Sequence, residues 1–278
     1  MRNPRIARFV FLCRRGFETF LHVELRRAGL EPSDLGPGAV ECEPGDFIPV
    51  FGRAGFRVMN GPPTRGTVEV WAADGVPLPQ APPPVQEGPQ RFVLCALSAD
   101  VVVWGDRPTA APRRMRRDAD TISRAALKLD EALEWVGDAP GAKETCVDLG
   151  AAPGGWTQRL LARGARVIAV DPARLKVPAS RKLVHVMDSA FRFEPDEPAD
   201  WLFCDMAWRP LEVAQLLAKW GRKQWAIRMV ANIKLPMKDK WPMLDRVRST
   251  LEDGGWKNVR MRQLYHDRDE VTVSASRY

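Results

Sequence analysis

Four residues in the C-terminal half of the chain have types and positions suited to acid–base chemistry. Lys234 follows a long apolar segment, and Lys128 lies in a segment with helical periodicity. Asp205 ends one predicted strand and Glu270 begins the last one. A neutral lysine can act as a general base towards a weakly acidic hydroxyl, such as the 2′-hydroxyl of a ribose. A single lysine or carboxylate more often forms a surface salt bridge, so the hypothesis depends on all four residues converging.

Lys234 is the predicted base, and the other three residues are predicted to control its charge and position. Burial and the ammonium group of Lys128 would lower the pKa of Lys234. Asp205 and Glu270 would orient the two ammonium groups, but their negative charges would raise the same pKa. From the sequence alone this balance stays open.

A glycine-rich segment, residues 146–156 (CVDLGAAPGGW), connects a predicted strand to a predicted helix. Gly150, Gly154 and Gly155 leave out side chains where the backbone must approach a ligand closely. The glycines lack the G-x-G-x-x-G spacing of a dinucleotide-binding fold, and no Lys-Ser or Lys-Thr pair follows them as in a phosphate-binding loop. The segment therefore indicates a small adenosyl ligand without phosphates.

Acidic residues end the three predicted strands that follow this loop. Asp171 comes about twenty residues after the glycines, where a carboxylate can bind ribose hydroxyls. Asp188 ends the next strand, where it could accept a hydrogen bond from an adenine amino group, and Asp205 ends the third. One such acid is often only a helix cap, whereas three in succession behind this loop favour a ligand site.

Alternating strand and helix patterns must position these residues. In residues 119–278 short apolar strands alternate with helical segments, which predicts an α/β domain with a doubly wound, mainly parallel, Rossmann-like sheet. Too few residues join the last two strands for a parallel crossover, so they predict a terminal antiparallel hairpin. The predicted strands are Thr145–Leu149, Arg166–Val170, Leu183–Met187, Trp201–Cys204, Trp225–Ile233, Trp256–Leu264 and Val271–Ser276. The predicted helices are Ile122–Trp135, Trp156–Ala162, Leu211–Trp220 and Lys240–Leu251.

Residues 1–118 predict a separate, small α+β domain whose chemistry cannot be inferred from its residues. A buried strand and an amphipathic helix come first, and several short strands follow. Residues 77–89, PLPQAPPPVQEGP, predict an extended connector, because proline supports neither a helix interior nor a central strand. Residues 107–120 form a second irregular, strongly basic stretch. Four of its arginines either bind RNA phosphates or belong to a solvated linker: Arg113, Arg114, Arg116 and Arg117.

The composition narrows the classes of function. The chain has 278 residues and a formal net charge of +7, which favours polyanionic partners such as RNA. Its five cysteines and three histidines are scattered, which argues against a disulfide framework and against a metal site. No apolar run approaches the ~18 residues that a membrane span needs. We therefore expect no membrane association and a cytoplasmic location.

Five motifs are similar to those of a known family: SRAALKLDEA, VDLGAAPGGWT, FCDMAWRP, NIKLPMK and QLYHDRDEVTV. On these motifs the C-terminal half resembles the FtsJ-like ribose methyltransferases. Within that family it resembles the RlmM type, which methylates the 2′-oxygen of a cytidine in large-subunit ribosomal RNA. The resemblance implies a methyltransferase sheet, S-adenosylmethionine as methyl donor and ribosomal RNA as partner. It also implies a catalytic set, which falls on Lys128, Asp205, Lys234 and Glu270.

The resemblance further implies which residues contact the methyl donor. One family position is a serine where this chain has Ala125, so a contact there would come from the backbone. The family also carries an RNA-binding THUMP region before its catalytic domain, and the first 118 residues leave room only for a reduced version. The other implied donor contacts are Gly150, Ala152, Pro153, Gly154, Gly155, Trp156, Asp171, Asp188 and Asp205.

Three alternatives to a ribosomal-RNA methyltransferase stay open. A transfer-RNA ribose methyltransferase would use the same chemistry on another RNA. A small-molecule O-methyltransferase is disfavoured, because the two lysines, two carboxylates and basic charge would then lack a purpose. The third alternative is an RNA-binding or assembly factor that binds the donor without catalysis.

Overall fold

The computed structural model describes residues 8–43, 49–82, 84–109, 115 and 118–278. The chain divides into two compact units, Met1–Arg113 and Arg114–Tyr278. The first unit contains β1 (Phe9–Leu12), α1 (Glu18–Arg27), β2 (Ser33–Gly36), β3 (Ala39–Cys42), β4 (Ala54–Met59), β5 (Arg65–Ala72), β6 (Gln86–Ala96) and β7 (Val102–Asp106). The second contains α2 (Ala125–Val136), β8 (Thr145–Leu149), α3 (Gly155–Ala162), β9 (Arg166–Val170), β10 (Leu183–Val186), β11 (Ala199–Cys204), α4 (Pro210–Arg222), β12 (Ala226–Lys234), α5 (Lys240–Asp253), β13 (Lys257–Arg262) and β14 (Glu270–Ser276).

The first unit is built on a seven-stranded sheet in the order β2-β3-β1-β4-β7-β6-β5. Its strand pairs are antiparallel except for β5 and β6, which run parallel. Apolar side chains such as Val10, Phe56 and Val93 form its core. The strand-rich α+β organisation agrees with the sequence pattern. β2 and β3 were not predicted, because Ser33, Asp34 and Gly36 of β2 are turn-forming residue types and Glu41 interrupts the apolar residues of β3.

The predicted connector at residues 77–89 is wrong at its C-terminal end. β6 begins at Gln86 and passes through Pro89. Its pairing with β5 is irregular between Gln86 and Arg91, and its pairing with β7 begins only at Phe92. Pro89 therefore lies where the ladder does not require its missing N–H, which is how a strand tolerates a proline.

The second unit contains another seven-stranded sheet, in the order β10-β9-β8-β11-β12-β14-β13. The strands from β10 to β12 pair in parallel. β14 runs antiparallel to β12 and forms a hairpin with β13. The predicted mainly parallel sheet with a terminal antiparallel hairpin is therefore confirmed.

The order of the strands creates a crevice at one edge of this sheet. From β8 the chain adds β9 and β10 on one side and then returns to add β11 on the other side. In such sheets ligands bind beyond the carboxyl ends of the strands, at the point where the direction of winding changes. The loops after β8 and β11, which carry Gly150 and Asp205, therefore meet at the expected ligand-binding edge.

Helices cover the parallel strands because those strands are apolar on both faces. α2 and α3 contribute Leu129, Leu133 and Leu160 to the same buried cluster as Trp201 and Phe203.

The longest described helix, α5, has 14 residues. In the described ranges no helix combines the length and apolarity that crossing a bilayer requires.

Candidate active site

The antiparallel direction of β14 brings Lys234 and Glu270 together. Lys234 is the last residue of β12 and Glu270 the first residue of β14, and the two are direct cross-strand partners. The Lys234 ammonium donates a short hydrogen bond to Glu270 Oε2. It also lies 3.4 Å from Asp205 Oδ1, at the end of the neighbouring strand β11. Three of the four predicted residues thus meet at one sheet edge.

Lys128 joins this group from α2. Its ammonium forms a close ion pair with Glu270 Oε1 and lies 3.8 Å from Asp205 Oδ1. Glu270 therefore bridges the two lysines, one through each carboxylate oxygen. Its side chain is only 5% exposed, so these ion pairs are largely shielded from water. The structure brings all four predicted catalytic residues into one cluster.

The glycine-rich loop begins beside this cluster. Gly150 has φ +74° and packs against Met206, the residue after Asp205, where a Cβ on Gly150 would lie 2.5 Å from Met206 Cγ. Gly154 has φ +111°, and a Cβ there would lie 2.3 Å from Val177 Cγ2. Both glycines are therefore required by backbone conformation and by close packing.

Asp171 supports the same loop from the end of β9. Its Oδ2 accepts a hydrogen bond from the backbone N–H of Ala152 at 3.1 Å, and its Oδ1 accepts one from Ala173 at 2.8 Å. The peptide bond between Ala152 and Pro153 is cis. Asp171 thus contacts the loop itself, at the position predicted for a ribose-binding acid.

A cavity of about 350 Å³ opens beside the lysine–carboxylate cluster. Two exposed arginines stand at this cavity, Arg124 and Arg268. Within the described part of the chain neither guanidinium has an ion-pair partner. The cavity is lined by Arg124, Ala125, Lys128, Lys234, His266, Arg268 and Glu270.

Part of the chain that forms this site is similar to a known protein family. Residues 121–227 match the family model described as FtsJ-like methyltransferase. This segment is an FtsJ-like methyltransferase domain. Lys128, Asp205 and the glycine-rich loop lie inside the matched segment of the FtsJ-like domain, whereas Lys234 and Glu270 follow it in the same sheet.

Curated relatives extend the similarity over a longer stretch. "Ribosomal RNA large subunit methyltransferase M" of Xylella fastidiosa (strain M12) is 40% identical over 207 residues, which cover 67% of this chain and 58% of the relative. The protein of the same name from Laribacter hongkongensis (strain HLHK9) is 41% identical over 187 residues, covering 63% of this chain and 53% of the relative. The matched part of the chain thus spans a little over half the length of these relatives.

The charges around Lys234 settle the balance that was open in the sequence. Burial lowers the pKa of Lys234, but Asp205 and Glu270 raise it by more, so the net pKa lies above its usual value. For Glu270, burial raises the pKa, but Lys128 and Lys234 lower it by more. Without a ligand, Lys234 is therefore an ammonium and Glu270 a carboxylate. The lowering of the Lys234 pKa by burial is outweighed.

A buried polar group behind the cluster was missed in the sequence. Asn232 lies two residues before Lys234, on the same face of β12, and its Nδ2 donates to Asp205 Oδ1 at 3.4 Å. Its Oδ1 contacts the hydroxyl of Thr272, its cross-strand partner on β14. The sequence feature that could have indicated this role is an asparagine inside an apolar strand. A buried amide requires hydrogen-bond partners, so such an asparagine points to a polar neighbour.

Ser123 was also missed as a candidate for donor binding. Its hydroxyl is buried and has no hydrogen-bond partner among the described residues. A Cβ on Gly155 would lie 2.2 Å from Ser123 Oγ, so the hydroxyl lies directly against the glycine-rich loop. An unpartnered buried hydroxyl at this place fits a ligand that would supply its partner.

Three residues predicted to contact the methyl donor have protein partners in the structure. The Trp156 indole is buried, packs edge-on against Phe203 and donates to the backbone oxygen of Ala125 at 2.8 Å. The Trp156 side chain is thus a core group, and the Ala125 carbonyl already has a partner. Asp188 Oδ1 accepts hydrogen bonds from Arg192 and from the backbone N–H of Ser189, and the Arg192 hydrogen bond is the main reason for the lowered pKa of Asp188.

The predicted RNA-binding residues Arg113, Arg114, Arg116 and Arg117 lie outside the described residues.

Proposed function

We propose that this protein transfers a methyl group from S-adenosylmethionine to a ribose 2′-hydroxyl of large-subunit ribosomal RNA. The observation that carries the proposal is the cluster of Lys128, Asp205, Lys234 and Glu270, which is open to a cavity and begins within the FtsJ-like segment. The names of the curated relatives support ribosomal RNA as the substrate. The cytidine at the target position is an expectation from the resemblance.

The residues around the glycine-rich loop fit the proposed methyl donor. The loop brings backbone without side chains to the ligand-binding edge, and Ser123 offers a hydroxyl without a partner. Asp171 and Asp188 follow at the ends of the next two strands, where they would bind the ribose and the adenine. When bound, S-adenosylmethionine supplies a methyl group on a positively charged sulfonium. No phosphate site is required, which agrees with the form of the loop.

Lys234 has to lose its proton before it can act as the base. Its pKa decreases when a further cation approaches, because a like charge disfavours the protonated form, and a sulfonium is such a cation. The Lys234 side chain is 30% exposed, so its proton can leave to water through the cavity. The neutral amine then accepts the proton of the 2′-hydroxyl, while Lys128 and Glu270 hold its position. Orientation of the oxygen towards the methyl group contributes much of the rate.

Methyl transfer to RNA is the experiment that tests the proposal. The protein is incubated with radiolabelled S-adenosylmethionine and either unmodified ribosomal RNA or transfer RNA, beside Lys234→Ala and Lys234→Arg. We expect 2′-O-methyl label in ribosomal RNA and a loss of about 100-fold or more in both variants, since arginine keeps its charge and cannot act as a base. Label only in transfer RNA would change the target. Donor binding without label in either RNA would support a binding or assembly factor instead.

Arg268 and Arg124 would bind phosphates on either side of the methylated ribose. Their guanidinium groups are exposed at the cavity, and an RNA backbone would provide the missing anions. We expect Arg268→Ala to raise the KM for RNA, to lower the salt slope of RNA binding by about one unit and to leave donor affinity unchanged. Arg246→Ala, on exposed α5, is the matched control. Equal RNA affinity of both variants would exclude Arg268 from the RNA site.

A further inference from the structure

A chain of three buried side chains connects Asp205 to the loop between β13 and β14. Thr272 Oγ1 lies 2.9 Å from Asn232 Oδ1 and 3.0 Å from Asp267 Oδ2. The exposed fractions of Asn232, Thr272 and Asp267 are 0%, 0% and 1%. A threonine hydroxyl has only one proton. It can therefore donate to the asparagine or to the aspartate, but not to both.

The position of Asn232 decides between the two arrangements. If Thr272 donated to Asp267, it would have to accept from Asn232, and the amide would turn its oxygen towards Asp205. Two acceptors would then face each other across the 3.4 Å that now separate Asn232 Nδ2 from Asp205 Oδ1. If Thr272 donates to Asn232, the amide N–H groups point towards Asp205. That arrangement requires Asp267 to be a hydrogen-bond donor.

We propose that Asp267 is a neutral carboxylic acid and a positioning residue for the active site. Its O–H donates to Thr272, the hydroxyl of Thr272 donates to Asn232, and the amide of Asn232 donates to Asp205. The protonated oxygen of Asp267 also accepts the backbone N–H of Leu264 at 2.9 Å. The positioning role rests on the proposed methyl transfer, whereas the protonation of Asp267 does not.

The surroundings of Asp267 favour the neutral acid. Burial raises the pKa of Asp267 to about 8. Glu270 on β14 and Glu131 on α2 add to the rise, while the Leu264 N–H and Lys128 on α2 act against it. At neutral pH the group therefore keeps its proton. Above about pH 8 it ionises, and Thr272 then turns its proton from Asn232 to Asp267.

The consequence for the active site is a fixed direction of hydrogen bonding. Asp205 receives a neutral N–H donor from Asn232 in addition to its contacts with Lys234 and Lys128. This donor holds the Asp205 carboxylate in place without adding charge. Loss of the chain would let Asp205 turn and would displace the ammonium group of Lys234.

Infrared spectroscopy tests the protonation directly. A protonated carboxyl has a C=O band separate from those of carboxylates and amides. We expect the full-length protein at pH 6.5 to show such a band, part of which is lost in Asp267→Asn and none of which is lost in Asp253→Asn, an exposed aspartate on α5. In the difference spectrum between the unmutated protein and Asp267→Asn, the intensity of the band should decrease with a midpoint near pH 8. An unchanged spectrum in Asp267→Asn would overturn the proposal.

The positioning role is tested with Thr272→Val and Thr272→Ser. Valine keeps the shape of threonine but removes the hydroxyl, so we expect kcat to decrease about tenfold, near the loss of one hydrogen bond, while the donor dissociation constant is unchanged. Serine restores the hydroxyl and should recover most of the activity. Equal kcat in both variants would overturn the positioning role. If the unmutated protein methylates no RNA, the proposed function fails while the infrared result still decides the state of Asp267.

Discussion

Around Lys234, burial and charge act on the pKa in opposite directions. Burial alone would favour the neutral amine that a base needs, but two carboxylates in contact keep the group protonated. The same contacts hold the side chain at the edge of the cavity. In the protein without ligand, the Lys234 side chain is therefore held in position but still carries the proton that it must lose before it can act as a base.

Ser123 provides a prediction about a single side chain in donor binding. Its buried hydroxyl has no partner among the described residues and lies against Gly155. We expect Ser123→Ala to weaken binding of S-adenosylhomocysteine about three- to tenfold, the effect of one hydrogen bond, measured by calorimetry. Ser249→Ala, on exposed α5, should leave the dissociation constant unchanged. Tight binding by the Ser123 variant would show that the hydroxyl has another role.

The hairpin of β13 and β14 depends on α2 as well as on its own strands. The Glu131 carboxylate of α2 accepts the backbone N–H groups of Tyr265 at 2.6 Å and His266 at 2.8 Å. Lys128, one turn earlier on α2, contacts Glu270 at the start of β14. The same helix thus holds the turn and supplies one of the clustered lysines.

Removal of the Glu131 carboxylate should therefore loosen the hairpin. Glu131→Ala leaves two backbone N–H groups in the turn without these acceptors, at a cost of about 1–3 kcal/mol each. We expect a lower melting temperature and faster amide hydrogen exchange at Tyr265 and His266, with slower methyl transfer. Glu134→Ala, on the exposed face of α2, is the control. Unchanged exchange at the turn would mean that the strands hold it without the helix.

The stability of the whole molecule should depend on pH through Asp148. This side chain is 1% exposed, and burial raises its pKa to about 7, although the hydrogen bond from Thr157 acts in the other direction. Between about pH 4 and 7 the folded protein keeps a proton that the unfolded chain releases. The contribution of Asp148 to stability is therefore complete below about pH 4 and is lost as the pH rises to 7.

Asp148→Asn should remove this part of the pH dependence. The free energy of unfolding of the unmutated protein should fall with pH more steeply than that of the variant, by about 1.4 kcal/mol per pH unit between pH 5 and 7. Urea unfolding at several pH values measures the difference. Asp253→Asn, at the exposed end of α5, should not change the slope. Parallel curves for the unmutated protein and Asp148→Asn would contradict the raised pKa.

Much of the candidate site followed from patterns along the chain. Strand ends were recognisable from short apolar runs, so Asp171, Asp188 and Asp205 could be assigned to one sheet edge. The short link before Glu270 predicted an antiparallel strand, and that direction brings Glu270 beside Lys234. These conclusions needed only local periodicity and the geometry of strand connections.

The sequence by itself thus determined the α/β fold, the sheet edge and the residues that gather there, because each depends on local patterns. Only the tertiary structure decided the net pKa of Lys234, the core position of the Trp156 indole and the unpartnered hydroxyl of Ser123. It also decided the hydrogen bonds from Asp267 to Asp205 through Thr272 and Asn232. These properties depend on distances of a few ångströms between residues far apart in the chain, and on how completely water is excluded from between them.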